Sequence, residues 1–175
     1  MTTLKNLMIL SCIFFASNLF GQESSKKDAC PCCTPEHRQF DFWLGDWETV
    51  ADGSIAGTNK ILLIQDSCVI QENWFSAKGD YTGTSYNFYN KNIRKWQQIW
   101  VDNQGGNLNL TGNKKDNQMI LQSEMMTGSK GEKIINRITW TDNPDGSVRQ
   151  NWEVSNDNGK SWMSIFDGLY KKRNP

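Results

Sequence analysis

The sequence predicts an all-β domain: an up-and-down antiparallel barrel of about ten strands, preceded by a short N-terminal helix. Three observations carry this. Beyond residue 45 the apolar side chains alternate at period two, and no long segment repeats at 3.6. Turn-forming residues such as Asp52-Gly53, Gly105-Gly106, Asn143-Pro144-Asp145-Gly146 and Asn156-Asp157-Asn158-Gly159 punctuate the chain at short intervals. Every connection is therefore short, which permits only antiparallel neighbours. Ten such strands either close on themselves or leave two long edges open to aggregation, so a barrel is favoured over the runner-up, a two-sheet sandwich.

The elements follow in order. Residues 1–21 read as a secretory signal peptide: Lys5 supplies the positive start, and residues 7–20 form an interrupted apolar run too short to span a bilayer. Ile9-Leu10-Ser11-Cys12 loosely resembles a lipobox, which leaves a lipoprotein signal as the alternative. Cleavage predicts a secreted or periplasmic protein with no transmembrane anchor. Residues 22–33 form a polar, Cys-containing leader, and residues 34–175 form the domain. Thr34-Pro35-Glu36-His37 is a helix start, with Thr34 as cap, Pro35 preorganised for the first helical position and Glu36 suited to the positive end of the dipole. The helix should last one or two turns and end before Gly45. The expected strands are 45–51, 57–65, 67–76, 82–90, 94–102, 106–112, 118–126, 132–142, 146–155 and 161–171.

Composition bounds the function. Nineteen basic and nineteen acidic side chains balance, which excludes the basic excess of a nucleic-acid binder. At 175 residues with 37% hydrophobic composition, the chain can bury a core without a structural metal. Removing Cys12 with the signal leaves Cys30, Cys32, Cys33 and Cys68, an even number suited to an oxidising compartment and open to three pairings. A Cys32–Cys33 bond would be strained, so one of these two should pin the leader to Cys68, with Cys32 the expected partner. The alternative is a soft-metal site of Cys30, Cys32, Cys33 and His37.

Phe40-Asp41-Phe42-Trp43-Leu44-Gly45-Asp46-Trp47-Glu48 carries a Gly-x-Trp at the entry to the first strand. With a short helix before it and ten strands after it, this resembles the calycin superfamily of lipocalins, fatty-acid-binding proteins and nitrobindin-like barrels. The resemblance implies that Trp47 plugs the closed end of the barrel. The stretch from His37 to Tyr170 also resembles a group of uncharacterised secreted bacterial lipocalin-like proteins. It does so through His37-Arg38-Gln39-Phe40-Asp41-Phe42-Trp43, Trp100-Val101-Asp102, Arg137-Ile138-Thr139-Trp140 and Asp145-Gly146-Ser147-Val148-Arg149-Gln150. Nitrobindin-like barrels hold haem through a late-strand histidine. The sole histidine here, His37, precedes the first strand, so no cofactor is implied. Residues 155–162 resemble the Asp-box hairpin of sialidase propellers, read here as a hairpin with Trp162 buried beneath it.

Strand parity places the site. Cys68, Ile70, Glu72 and Trp74 share a face, as do Trp96, Gln98, Trp100 and Asp102. Asn136, Ile138 and Trp140 share another, and Val148, Gln150, Trp152 and Val154 a fourth. If these faces point inward, the interior is aromatic with a few polar groups, the make-up of a small-molecule site. The candidate ligand-binding residues are Glu72, Trp74, Gln98, Trp100, Asn136, Trp140, Gln150 and Trp152, and the expected partner is a small hydrophobic or aromatic ligand. A packed interior without a ligand is the alternative. The parity of strand 94–102 is the weakest link, because Ile99 and Val101 occupy its other face. Glu72 is the lone inward acid. Beside Trp74 it would have a raised pKa, so a barrel lyase, isomerase or hydratase using Glu72 as general acid or base competes with the binder. Against that, Glu72 could pair with Arg137 or Arg149 if one strand's parity were reversed. His37 and Asp41 form a possible polar cluster at the closed end. An envelope interaction protein, with an exposed apolar patch on its outer wall, is a third reading.

Overall fold

The computed structural model describes residues 30–173. The expected signal peptide and most of the expected leader lie outside these residues. Eleven strands run antiparallel: β1 (Gly45–Ala51), β2 (Ser54–Ile64), β3 (Val69–Ser76), β4 (Thr82–Asn90), β5 (Lys95–Asp102), β6 (Asn107–Lys115), β7 (Gln118–Gln122), β8 (Met126–Thr127), β9 (Lys133–Asp142), β10 (Val148–Ser155) and β11 (Met163–Lys172). All but β8 form one closed ring in up-and-down order. β11 pairs with both β10 and β1, and β9 pairs with both β7 and β10. The fold is thus a closed ten-stranded antiparallel barrel. The two-residue β8 hangs on the start of β9 as a small side hairpin.

The strand bounds depart from expectation where local geometry intervenes. β2 begins at Ser54 because Asp52 and Gly53, both at positive φ, make a tight turn, and a bulge between Thr49 and Val50 absorbs the register change. β3 begins only at Val69. Gln65, Asp66 and Ser67 all take positive φ, which places Cys68 in the turn instead of the strand. β7 stops at Gln122 because Ser123 leaves the ladder, its backbone N–H donating to Asn136 O and its hydroxyl accepting from Asn136 N–H.

The N-terminal helix is two 3-10 turns, Pro35–Arg38 and Asp41–Trp43. Thr34 does not cap the backbone; its Oγ1 lies 2.8 Å from His37 Nδ1. These turns seal one pole. Phe40 stacks on Trp43 at 5.0 Å between ring centroids, meets Trp140 edge-on at 5.2 Å, and lies against Trp96 at 5.7 Å. Trp47 is fully buried, its indole N–H donates to Trp43 O at 2.8 Å, and Lys172 Nζ sits 5.1 Å above its ring. Trp47 therefore closes the barrel from within.

Two disulfides fasten this pole. Cys32 is bonded to Cys68, across a separation of 36 residues, and Cys30 is bonded to Cys33. With all four cysteines so bonded, the thiolate metal set with His37 does not form. Nor do His37 and Asp41 make one polar cluster. His37 is held by Thr34, and Asp41 forms an ion pair with Arg38 at 3.4 Å. Burial lowers the His37 pKa, assisted by the Lys91 and Arg38 charges. Burial raises that of Asp41 against the opposing pull of Arg38.

Candidate functional site

Strand register stacks the inward side chains in three tiers. The lowest holds Trp47, Ile61, Ile70, Trp96, Met119, Trp140 and Val148, all buried. The middle tier is a polar belt. The upper tier is an aromatic collar around a cavity of about 430 Å³, within the range of small-molecule sites. Asp52, Ser54, Lys78 and Ile165, all exposed, mark the mouth, at the pole opposite the plug.

The belt centres on Glu72, which is 4% exposed. Asn59 Nδ2 donates to its Oε1 at 2.7 Å, and Ser85 Oγ donates to its Oε2 at 2.6 Å. The direction at Ser85 is fixed by its neighbours. Its oxygen already accepts from Asn87 Nδ2 at 2.9 Å and from Gln98 Nε2 at 3.4 Å, so its own hydrogen goes to the carboxylate. Gln98 Nε2 also donates to Asn87 Oδ1 at 2.9 Å. On the other side Tyr170 OH donates to Gln150 Oε1 and accepts from Asn59 Nδ2 at 3.4 Å.

No basic side chain faces Glu72 among the described residues. Arg137 pairs with Glu153 at 2.9 Å and Arg149 pairs with Asp167, both on the outer wall, so the alternative ion pair to Glu72 is overturned. Burial pushes the Glu72 pKa up to about 7, against the opposing effect of the Ser85 and Asn59 hydrogen bonds. Burial and the nearby carboxylate also hold the Tyr170 phenol far above its ordinary range.

The collar is made of Trp74, Trp100, Trp152 and Phe166, with Tyr81 and Leu108 between them. Trp74 meets Phe166 edge-on at 6.4 Å. Trp152 is oriented by Asn136, whose Oδ1 accepts from the indole N–H at 2.8 Å. The indole N–H of Trp100 lies 3.4 Å from Asp102 Oδ2, which also accepts from Tyr81 OH at 3.1 Å. Three aromatics lie on glycine. A Cβ on Gly57 would come within 2.7 Å of the Trp74 ring, one on Gly83 within 2.0 Å of Trp100, and one on Gly168 within 2.6 Å of Phe166. The missing side chains let these rings lie against the wall, which keeps the centre open.

Of the eight sequence candidates, Glu72, Trp74, Gln98, Trp100, Gln150 and Trp152 line this cavity. Two stand elsewhere. Trp140 is fully buried in the plug against Phe40 and Trp43, because its strand runs one tier deeper there. Asn136 shares the inward face of Ile138 but stands outside the cavity lining, where it supports Trp152. Ile99 and Val101 are exposed on the outer face of β5, so the parity that placed Gln98 and Trp100 inside is the observed one. Trp162 is half-buried instead of buried, with the Arg137 guanidinium 3.9 Å over its ring. Asn59, Ser85, Tyr170, Tyr81 and Phe166 escaped the sequence reading. On β4 the available signal was inverted: Gly83, Ser85 and Asn87 alternate with Thr84, Tyr86 and Phe88, so the small, polar set faces inward.

A closed ten-stranded antiparallel barrel, plugged at one pole and cupped at the other, is consistent with a calycin-like architecture. No family model matches the chain, and no curated protein is significantly similar to it. Fold and cavity geometry therefore carry the functional reading.

Proposed function

We propose that the chain is a secreted or periplasmic lipocalin-like barrel that binds a small hydrophobic or aromatic ligand in its upper cavity. The observation that carries this is the pairing of an aromatic collar with a single buried carboxylate at its floor. Trp74, Trp100, Trp152 and Phe166 offer wide apolar faces, while Glu72, Gln98 and Gln150 offer the few placed polar groups that fix orientation. The two disulfides fit an extracytoplasmic setting. The test is quenching of the collar tryptophans on titration with an environment-sensitive hydrophobic dye. Saturable binding, lost when Trp100 and Trp152 are both replaced by Ala, supports the reading. A dye that binds equally well to that variant refutes it.

One observation favours a second reading. A carboxyl with a pKa of about 7 facing a cavity is poised as a general acid or base, so a barrel lyase, isomerase or hydratase acting through Glu72 is the alternative. Glu72→Gln discriminates the two, abolishing turnover in an enzyme while preserving dye binding in a binder.

A further inference from the structure

Resting on the cavity-binding reading above, we infer that the ligand is an organic cation. Its ammonium would be received by the Glu72 carboxylate at the cavity floor, and its aromatic or aliphatic body held within the Trp74–Trp100–Trp152 collar.

Charge bookkeeping inside the barrel leads there. Glu72 contributes an acid that no described basic group offsets. Around it, β2 presents Asn59, β4 presents Ser85, and β11 presents the neutral Tyr170 phenol. Tyr81 also lines the cavity, and its pKa is raised to about 12 by burial, with the Asp102 and Glu72 charges adding to the rise. Of the remaining charges, Asp102 stands behind Tyr81, and Asp52 and Lys78 are out at the mouth. A buried carboxylate needs a counter-charge or must stay protonated. Here the open direction leads into the cavity.

Hydrogen-bond capacity points the same way. A carboxylate offers about four lone-pair directions. Asn59 and Ser85 fill one on each oxygen, which leaves capacity toward the cavity for the N–H donors of an ammonium. The walls suit a cation too. Three indole rings line the cavity, and the face of an indole presents a negative π surface to a cation. A carboxylate ligand would instead meet Glu72 charge against charge.

The experiment uses three probes that share an indolylethyl body, titrated into the intact, oxidised protein by calorimetry: tryptamine, its isosteric alcohol tryptophol, and indole-3-propionate. Tryptamine should bind at least tenfold more tightly than tryptophol at pH 8, and indole-3-propionate weakest. Lowering the pH to 6 should weaken tryptamine about tenfold, because Glu72 takes up a proton, and leave tryptophol unchanged. Glu72→Gln should bring tryptamine down to the affinity that the same variant shows for tryptophol. If tryptophol or the acid binds as well as the amine, or Glu72→Gln keeps the preference, the cation proposal is overturned and the cavity reading stands. If neither the probes nor the hydrophobic dye bind, both fall together.

Discussion

Trp100 lies directly on Gly83, so close that a methyl group on that glycine would stand 2.0 Å from the indole Cζ2. The ring is flattened against β4 only because β4 has no side chain there. Gly83→Ala must push the indole toward the cavity centre, at a cost of about 1–3 kcal/mol from overpacking. Urea unfolding should report that loss, and dye titration should report a smaller, weaker site. An unchanged midpoint would mean that the ring has room to move aside.

Glu72 makes stability depend on pH in a direction opposite to that of most carboxylates. Its folded pKa of about 7 lies above the ordinary 4.5. Between those values the folded state holds a proton that the unfolded state has released. The protein should therefore lose stability as pH rises from about 4.5 to 7 and level off above. Glu72→Gln mimics the protonated acid, and the buried Asn59 Oδ1, which has no hydrogen-bond partner, can turn to accept from the new amide. The variant should match the parent near pH 4 and exceed it at pH 8 by up to about 3 kcal/mol. Thermal unfolding at the two pH values checks this.

The two disulfides should contribute unequally. Cys32–Cys68 closes a long loop and Cys30–Cys33 a very short one. Replacing Cys32 and Cys68 together by Ser should cost about 3–4 kcal/mol, and replacing Cys30 and Cys33 about half of that. Denaturant unfolding of the two double variants decides it.

Asp157 organises the β10–β11 hairpin, accepting from Ser155 Oγ, from the backbone of Lys160 and Ser161, and from Ser161 Oγ. These bonds hold its pKa down at about 2. Its stabilising effect is present above the ordinary carboxylate pKa of 3.8 and is lost as pH falls from there through about 2. Asp157→Ala should speed amide hydrogen exchange at Lys160 and Ser161 at neutral pH. At pH 2 the difference from the parent should shrink.

Much of this molecule was legible in its residues. Ten alternating segments and their turn residues specify the ring, because they rest on local chemistry that a single strand displays, whereas the plug was expected only through the resemblance that Gly45-x-Trp47 carries. The six cavity residues among the eight candidates follow from parity. What parity cannot supply is height along the barrel axis. Trp140 and Trp152 share the inward face on neighbouring strands, yet stagger places one in the plug and the other in the collar. The partners of Glu72 were hidden for a related reason. Asn59 follows Gly57 on the inner face of β2, and Ser85 stands between Gly83 and Asn87 on that of β4, small or polar neighbours of the kind that ordinarily mark a solvent face.

An even number of strands returns the chain to the pole from which it set out. β1 begins and β11 ends side by side at the plug, with Trp47 opposite Lys172 and Arg173 N–H donating to Asp46 O. A surface linkage through Asp46 or Arg173 should therefore leave the cup unobstructed. A circular permutant that joins those ends and opens the chain at Gly53 should still close its ring.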